Sequence, residues 1–382
     1  MDKILLFPYW LTLKIRHMLF DNGFRKVYEP AVPSICIGNI TVGGTGKTPH
    51  TEMLVRTLLE DEQWYGKNIA VLSRGYKRRS KGFQQVVADG RALDYGDEPL
   101  QIKKKFPMVT VAVDSSRKEG CTFLTAPEAV KTSKKGRRCI HKDFPKADLI
   151  LLDDAFQHRY VRPGINILLM DYNRPIYEDA LMPTGLLREP ASSIYRAQII
   201  IVTKCPKDIK PIDFRIVAKH LELRPYQQMF FTSFTYGNLN AFNQAEQHKP
   251  LSALTANTHI VLVTGIASAT PLVEKLNEYT ANITHLEYRD HHDFKHSDLQ
   301  QIENVFSSIN AEDKLIITTE KDAARLRGCK LSENISCHLY VLPIEIEFLQ
   351  DQQEIFNNYI TDYVSKNSRN RIVHQRADAH KS

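Results

Sequence analysis

Residues 34–50 read SICIGNITVGGTGKTPH, and this passage decides the fold. Ser34 to Ile37 is an apolar run of strand length, and Pro49 opens a helical pattern that continues to about Gln63. Between them lies the glycine loop Gly43-Gly44-Thr45-Gly46-Lys47-Thr48. Strand, glycine loop and helix in that order are the setting of a phosphate-binding loop. Glycines let successive N–H groups face a phosphate, and the helix N-terminus adds its positive dipole end. In such a loop Lys47 reaches the β and γ phosphates and the Thr48 hydroxyl ligates Mg²⁺. Pro49 suits the first helical turn, where its missing N–H is no loss. The strict pattern asks for glycine at position 41, where this chain has Thr41. A fortuitous glycine turn is the competing reading, and the correct flanking elements weigh against it.

A phosphate loop calls for an acid at the end of a neighbouring apolar strand, where it holds Mg²⁺ through water. Residues 148–154, DLILLDD, supply Asp153 and Asp154. Carboxylates ending a buried strand are costly unless paired or metal-bound. Adjacent side chains on a strand diverge, so one of the two faces the metal, and the sequence leaves open which. Guanine specificity would show as Asn/Thr-Lys-x-Asp, but Thr203-Lys204-Cys205-Pro206 has proline in place of the aspartate. ATP is therefore the expected nucleotide.

Outward from this centre, short apolar runs alternate with helical patterns, as in parallel sheets flanked by helices. The texture changes at residues 226–255, an alternating aromatic stretch followed by a Gln/Asn-rich passage. The expected class is α/β: a P-loop NTPase-like parallel-sheet domain over 29–225 and a smaller α/β domain over 256–366 that ends in a helix. A basic tail over 367–382 is expected to be disordered. With 42% hydrophobic and 25% charged residues the chain has an ordinary globular composition, which excludes collagen-like and wholly disordered classes. No apolar run approaches the roughly 18 to 20 residues of a membrane span. Six cysteines without a CxxC pair suggest neither a disulfide scaffold nor a cysteine zinc site, and fit a reducing cytoplasm.

Several other clusters carry polar chemistry. Gly96-Asp97-Glu98-Pro99 places two acids in a turn, and a phosphotransferase needs a carboxylate near its acceptor hydroxyl; a solvated turn explains the pair as simply. Arg117 follows an apolar strand, where an arginine can contact phosphate, and Arg188 with Glu189 reads as a lining pair or as a structural ion pair. The run Arg289 to His296, RDHHDFKH, can bind metal or move protons, or can merely cap the helix that begins near Ser297. At the N-terminus Phe7, Leu11, Ile15 and Met18 share one helical face among Lys3, Lys14, Arg16, Arg25 and Lys26, which suits either an interfacial helix or packing onto the body.

Taken in order, GNITVGGTGKTP (38–49), LSRGY (72–76), GDEP (96–99), DDAFQHR (153–159), PTGLLREP (183–190), DHHDF (290–294) and TEKDA (319–323) resemble the tetraacyldisaccharide 4'-kinase family, the lipid A 4'-kinases of Gram-negative bacteria. The likeness runs from the N-terminal helix to about residue 345. Thr41 fits it, since the family's own loop begins Thr-Val-Gly-Gly. The sequence departs from the family's usual DDGLQ with Asp153-Asp154-Ala155-Phe156-Gln157, and from GPLRE with Gly185-Leu186-Leu187-Arg188-Glu189. Tyr288-Arg289 stands where an apolar residue and proline often precede the DH. These departures remove no proposed chemical group, and they mark a divergent branch.

The resemblance implies two α/β/α domains joined by a β-stranded linker. It implies transfer of the γ-phosphate of ATP to the 4'-hydroxyl of tetraacyldisaccharide 1-phosphate, forming lipid IVA at the cytoplasmic face of the inner membrane. It puts ATP on Thr41, Val42, Gly43, Gly44, Thr45, Gly46, Lys47 and Thr48, and Mg²⁺ on Thr48 with Asp153 and Asp154. Asp97 becomes the acceptor-activating acid, coupled to His291 or its neighbour His292. Glu98, Arg117, His158, Arg188 and Glu189 fall at lining positions. A histidine of the second domain facing an aspartate of the first implies that closure assembles the site. The rival is a P-loop ATPase acting as a switch or transport partner, without a lipid acceptor. No nucleic-acid-binding motif is present, and no protein partner is expected.

The formal net charge of +7 is unevenly spread. Residues 1–28 carry +3, 74–82 carry +5, 131–146 carry +6 and 365–382 carry +4, which leaves −11 on the remainder. Four basic strips on an acidic body suit an enzyme that takes an anionic lipid from a membrane, so residues 1–28 are expected to be a membrane-associating helix.

Overall fold

A computed structural model describes residues 2–243, 247–266, 268–290 and 292–379. The chain divides into two compact units. The first holds Met1–Ala88, Ile102–Phe234 and Ile346–Ser382; the second holds Asp89–Gln101 and Thr235–Glu345.

In the first unit, helix α1 (Asp2–Asp21) precedes β1 (Ser34–Gly38), α2 (Lys47–Glu60), β2 (Ile69–Ser73) and β3 (Gln84–Gln85). After the second unit's α3 (Ala92–Tyr95) and the start of α4 (Asp97–Lys105), the first unit resumes with β4 (Thr110–Val113), α5 (Arg117–Thr125), α6 (Glu128–Thr132), β5 (Leu149–Asp153), β6 (Ile165–Asp171), β7 (Ile199–Thr203), α7 (Pro211–Leu221) and β8 (Gln228–Tyr236). The second unit adds β9 (Leu239–Ala241), β10 (His248–Lys249), β11 (His259–Thr264), α8 (Thr270–Asn277), β12 (Ile283–Glu287), α9 (His296–Ser308), β13 (Lys314–Thr319), α10 (Glu320–Leu326), α11 (Glu333–His338) and β14 (Leu339–Leu342). The chain closes with β15 (Ile344–Phe348) and α12 (Gln353–Ala379).

The larger sheet runs β15-β8-β7-β6-β1-β5-β2-β4-β3, parallel from β8 to β4, with β3 antiparallel at the edge. Its inner strands read as unbroken apolar runs, for example IIIVT in β7, because helices cover both faces. On one face Cys36, Leu72, Ile150, Leu168 and Ile200 join a core that includes Phe83, Phe156 and Phe231. The smaller sheet runs β10-β9-β14-β13-β11-β12, and its side chains alternate as strand geometry requires. Val261 and Val263 face a core with Phe294 and Phe306, whereas Ile260 and Leu262 face one with Leu272 and Leu276.

Besides residues 89–101, which lie in the second unit, three placements differ from those expected of the sequence. Residues 226–255 are not a separate linker: β8 lies in the first sheet and β9 and β10 in the second, with the division after Phe234. Helix α12 belongs to the first unit, not the second. Phe356, Ile360 and Val364, spaced one turn apart, are fully buried there, and the Phe356 ring lies 5.3 Å from that of Phe230. The tail expected to be disordered from residue 367 continues this helix to Ala379, since its Arg, Gln, Ala and Ser residues include no proline or glycine to stop it; residues 380–382 lie outside the described residues.

Candidate active site

Strands β1 and β5 are neighbours in parallel register, with Ile37 opposite Asp153. The glycine loop after β1 and the acids that end β5 therefore emerge at the same carboxyl edge, where open α/β sheets bind ligands. The loop enters α2 through Gly46 at φ 81°, a left-handed conformation, and a Cβ there would lie 2.6 Å from the ring of Phe234. Conformation and space both demand glycine.

Side chains that no motif announced hold this loop in shape. Asn39 Nδ2 donates to Thr45 Oγ1 at 2.9 Å, and Thr203 Oγ1 donates to the Thr45 carbonyl at 3.0 Å. His50 Nδ1 lies 2.8 Å from the Gly46 carbonyl, which can only accept, so Nδ1 carries the proton and Nε2 is left to accept from the Thr232 hydroxyl 3.0 Å away. Burial without an acidic partner brings the His50 pKa down to about 4, so the ring is neutral near pH 7. Thr41 makes an antiparallel bridge to Leu187, supported by Val42 N to Leu186 O at 2.8 Å and Arg188 N to Ile40 O at 2.7 Å. This pairing brings the GLLRE segment alongside the phosphate loop.

The two acids differ. Asp153 is buried; Thr51 Oγ1 donates to its Oδ1 at 3.1 Å, and Ser73 is a second hydroxyl partner. Burial, and then the adjacent Asp154 charge, push its pKa up. Asp154 turns out of the strand at φ 47°, and its Oδ1 lies 3.7 Å from Lys47 Nζ. That oxygen is buried and accepts no hydrogen bond. Among the described residues no group of three or more His, Cys, Asp or Glu is placed to hold a metal ion. A phosphate-loop Mg²⁺ does not need one, because phosphate oxygens, water and a hydroxyl fill most of its shell. The free Asp154 oxygen beside the loop that carries Thr48 fits such an ion.

Arg117, 1% exposed, faces the backbone instead of open space. Its guanidinium donates to the carbonyls of Asp114 at 2.7 Å, Asp153 at 3.2 Å and Asp154 at 3.4 Å, which fixes the strand end that presents the acids. Burial, followed by the charges of Arg117, Arg74 and Arg16, brings His158 down to about 4. Glu189 is fully buried and does not pair with Arg188. It meets Arg196, with His17 at 3.6 Å and Arg16 at 3.8 Å. Burial alone would raise its pKa, but the nearby His17, Arg196 and Arg16 bring it below the usual carboxylate value. The cluster pins α1 to the first unit, as does the Tyr9 hydroxyl, which donates to the Arg188 carbonyl at 2.9 Å.

In the second unit Asp97 and Glu98 open α4, where acids suit the helix N-terminus. Arg325 donates to Asp97 Oδ2 through Nε at 3.0 Å and Nη2 at 2.6 Å, and through Nη1 to Asp322 Oδ1 at 2.9 Å. Asp322 Oδ2 in turn accepts from Gly265 N at 2.9 Å and from Thr319 Oγ1 at 2.7 Å. Arg325 stands two residues beyond TEKDA, and the Asp322 to Arg325 spacing of one helical turn is its visible signal; the partner 228 residues upstream has none. Residues 89–101, Asp97 among them, belong to the second unit and not to the 29–225 domain expected of the sequence. His292 Nε2 pairs with Asp298 Oδ2 at 2.8 Å, and its ring stacks on Tyr288 at 4.8 Å. His291 lies outside the described residues.

Comparison with known proteins bears on the family and the fold. The family model described as tetraacyldisaccharide-1-P 4'-kinase matches residues 3–364. The chain is 49% identical to the tetraacyldisaccharide 4'-kinase of Bacteroides thetaiotaomicron over 98% of its length and 95% of that protein's. It is 43% identical to the enzyme of that name from Parabacteroides distasonis, over 96% and 95% of the two chains. A crystal structure of LpxK from Aquifex aeolicus in complex with ATP superposes with a TM-score of 0.68 at 24% identity, covering 95% of this chain and all of that one; at that identity the likeness speaks for the fold.

Proposed function

The chain belongs to the tetraacyldisaccharide-1-P 4'-kinase family, and from that premise we propose how its residues carry out the transfer. The protein is an ATP-dependent kinase that phosphorylates the 4'-position of the lipid A precursor tetraacyldisaccharide 1-phosphate. Nothing observed favours an ATPase without a lipid acceptor. The observation that supports the chemistry best is Lys47 Nζ 3.7 Å from the unsatisfied Oδ1 of Asp154 at the mouth of the glycine loop.

Loop N–H groups from Gly43 to Thr48 and the Lys47 ammonium bind the β and γ phosphates and neutralise charge that develops in the transition state. Thr48 and Asp154 would hold Mg²⁺, which supplies further neutralisation of phosphate charge when bound. Asp153, already donated to by Thr51, acts on the loop helix and not on the ion. Arg117 is a positioning residue for both acids. Asp97, oriented by Arg325, accepts the proton of the 4'-hydroxyl as that oxygen attacks. His291 is its proposed partner, because His292 is engaged by Asp298. Glu98, His158 and Arg188 are proposed to line the lipid headgroup. Leu11, Ile15 and Met18, exposed along one stripe of α1, are proposed to meet the inner membrane at its cytoplasmic face. Among the described residues no helix is long and apolar enough to cross a membrane.

Mass spectrometry of tetraacyldisaccharide 1-phosphate incubated with the enzyme, ATP and Mg²⁺ tests the reading. One added phosphate is expected. ATP hydrolysis with the lipid unchanged would overturn it.

A further inference from the structure

Two of the four basic strips, 74–82 and 131–146, are separated by about fifty residues of chain yet fold against one another at the β3 edge of the first unit. Gln84 ties them together: its Nε2 donates to the Lys81 carbonyl at 3.1 Å and to the Arg138 carbonyl at 2.6 Å, and its Oε1 accepts from Ile140 N at 3.1 Å. Arg78, whose guanidinium is anchored to the Gly82 carbonyl at 2.7 Å, lines with Lys81 and Arg138 a cavity of about 610 Å³ between the strips. Asp114 and Glu119 line the same cavity, and Glu119 is paired with Lys135. Arg79, Lys81, Lys134, Arg137 and Lys146 are exposed and enter no ion pair among the described residues. Together the strips place +11 on one edge of a chain whose total is +7.

Two apolar side chains stand out of this charge. Tyr76 is 64% exposed and Ile140 69%, one from each strip, and both are surrounded in sequence by cations. Exposed aromatic and aliphatic groups among lysines and arginines suit an interface that is anionic at its surface and apolar just beneath. The edge is also joined to the end of α1. Lys118 of α5 lies 5.9 Å from the Tyr28 ring, Tyr28 bridges Val161, and Tyr160 beside it packs edge-on against Phe20 of α1. Lys118 and Glu119 are consecutive in α5, so contacts lead from α1 to the basic edge without leaving the first unit.

We propose that this edge, residues 74–82 with 131–146, is a docking surface for bilayers rich in anionic phospholipid: Tyr76 and Ile140 enter the headgroup layer while the cations contact lipid phosphates. It adds a second membrane contact to α1, with a net charge of +11 against the +3 of residues 1–28. It does not depend on the transfer chemistry.

The test is co-sedimentation of the full chain with vesicles of phosphatidylcholine alone or mixed with phosphatidylglycerol. Lys134→Gln with Arg137→Gln is expected to weaken binding to the anionic vesicles about thirtyfold, since each surface cation contributes about 1 kcal/mol there. Ile140→Ser should weaken it severalfold, and raised salt should act on the wild type more than on the charge variant. Turnover of detergent-dispersed substrate should match wild type in both variants, which reports their folding and keeps the two readings apart. Unchanged vesicle binding by the charge variant, or equal binding of wild type to both vesicle types, would overturn the proposal. So would a charge variant that loses affinity for RNA and not for vesicles.

Discussion

Asp154 in the first unit and Asp97 in the second are held by opposite means. Asp154 keeps a buried oxygen without a donor, 3.7 Å from Lys47, whereas one oxygen of Asp97 receives two hydrogen bonds from Arg325. A carboxylate short of donors is suited to a cation delivered with the nucleotide. One that accepts two hydrogen bonds from a planar guanidinium is fixed in direction before any substrate arrives. Binding and proton transfer thus make different demands on the same functional group, and the surroundings of each acid answer one demand.

The sharpest way to break this contrast is to remove each centre separately. Asp97→Ala should lower kcat by roughly 10²- to 10⁴-fold while ATP affinity stays near wild type. Lys47→Ala should lower kcat/KM by roughly 10²- to 10³-fold and weaken ATP binding as well. Matching losses of ATP affinity in the two variants, by nucleotide titration, would erase the distinction. Arg325→Lys keeps a positive charge but not the fork, so a fall in kcat of about tenfold is expected at constant KM for ATP. A change in KM with kcat intact would mean that Arg325 serves binding.

A smaller effect probes the shell behind the phosphate loop. Burial depresses His50 from 6.5 to about 4, so the unfolded chain binds the extra proton more readily. The stability this histidine preserves is full above about pH 6.5 and is lost as pH falls towards 4, by up to about 3 kcal/mol. His158 acts in the same direction. In urea melts, His50→Gln should flatten the decline between pH 7 and pH 5, and a slope equal to wild type would reassign the effect.

The phosphate loop was legible because its parts are consecutive: strand, glycines and helix lie within residues 34–60, and each has a local physical requirement. Asp153 and Asp154 were legible as the end of an apolar run. The choice between them was not, since it turns on the left-handed backbone of Asp154 and on Thr51 reaching Asp153 from α2. Arg117 looked like a phosphate contact because a cation after a strand usually faces open space; only tertiary packing turns it onto three carbonyls. The boundary between units escaped for a similar reason. Residues 89–101 are too few to announce a domain, and the pairing of Asp97 with Arg325 spans 228 residues of chain.

The order of synthesis gives the burial of Phe356 a further meaning. Every strand of the second unit has been made by Leu342, whereas β15 and α12 of the first unit are made after it. Until they emerge, Phe230 lacks both of its aromatic neighbours, Phe348 and Phe356, and one face of the larger sheet stands open to other nascent chains. A chain stopped at residue 345 would therefore carry a complete smaller unit attached to an aggregation-prone larger one, so the last helix governs solubility during biogenesis well before it has any bearing on catalysis.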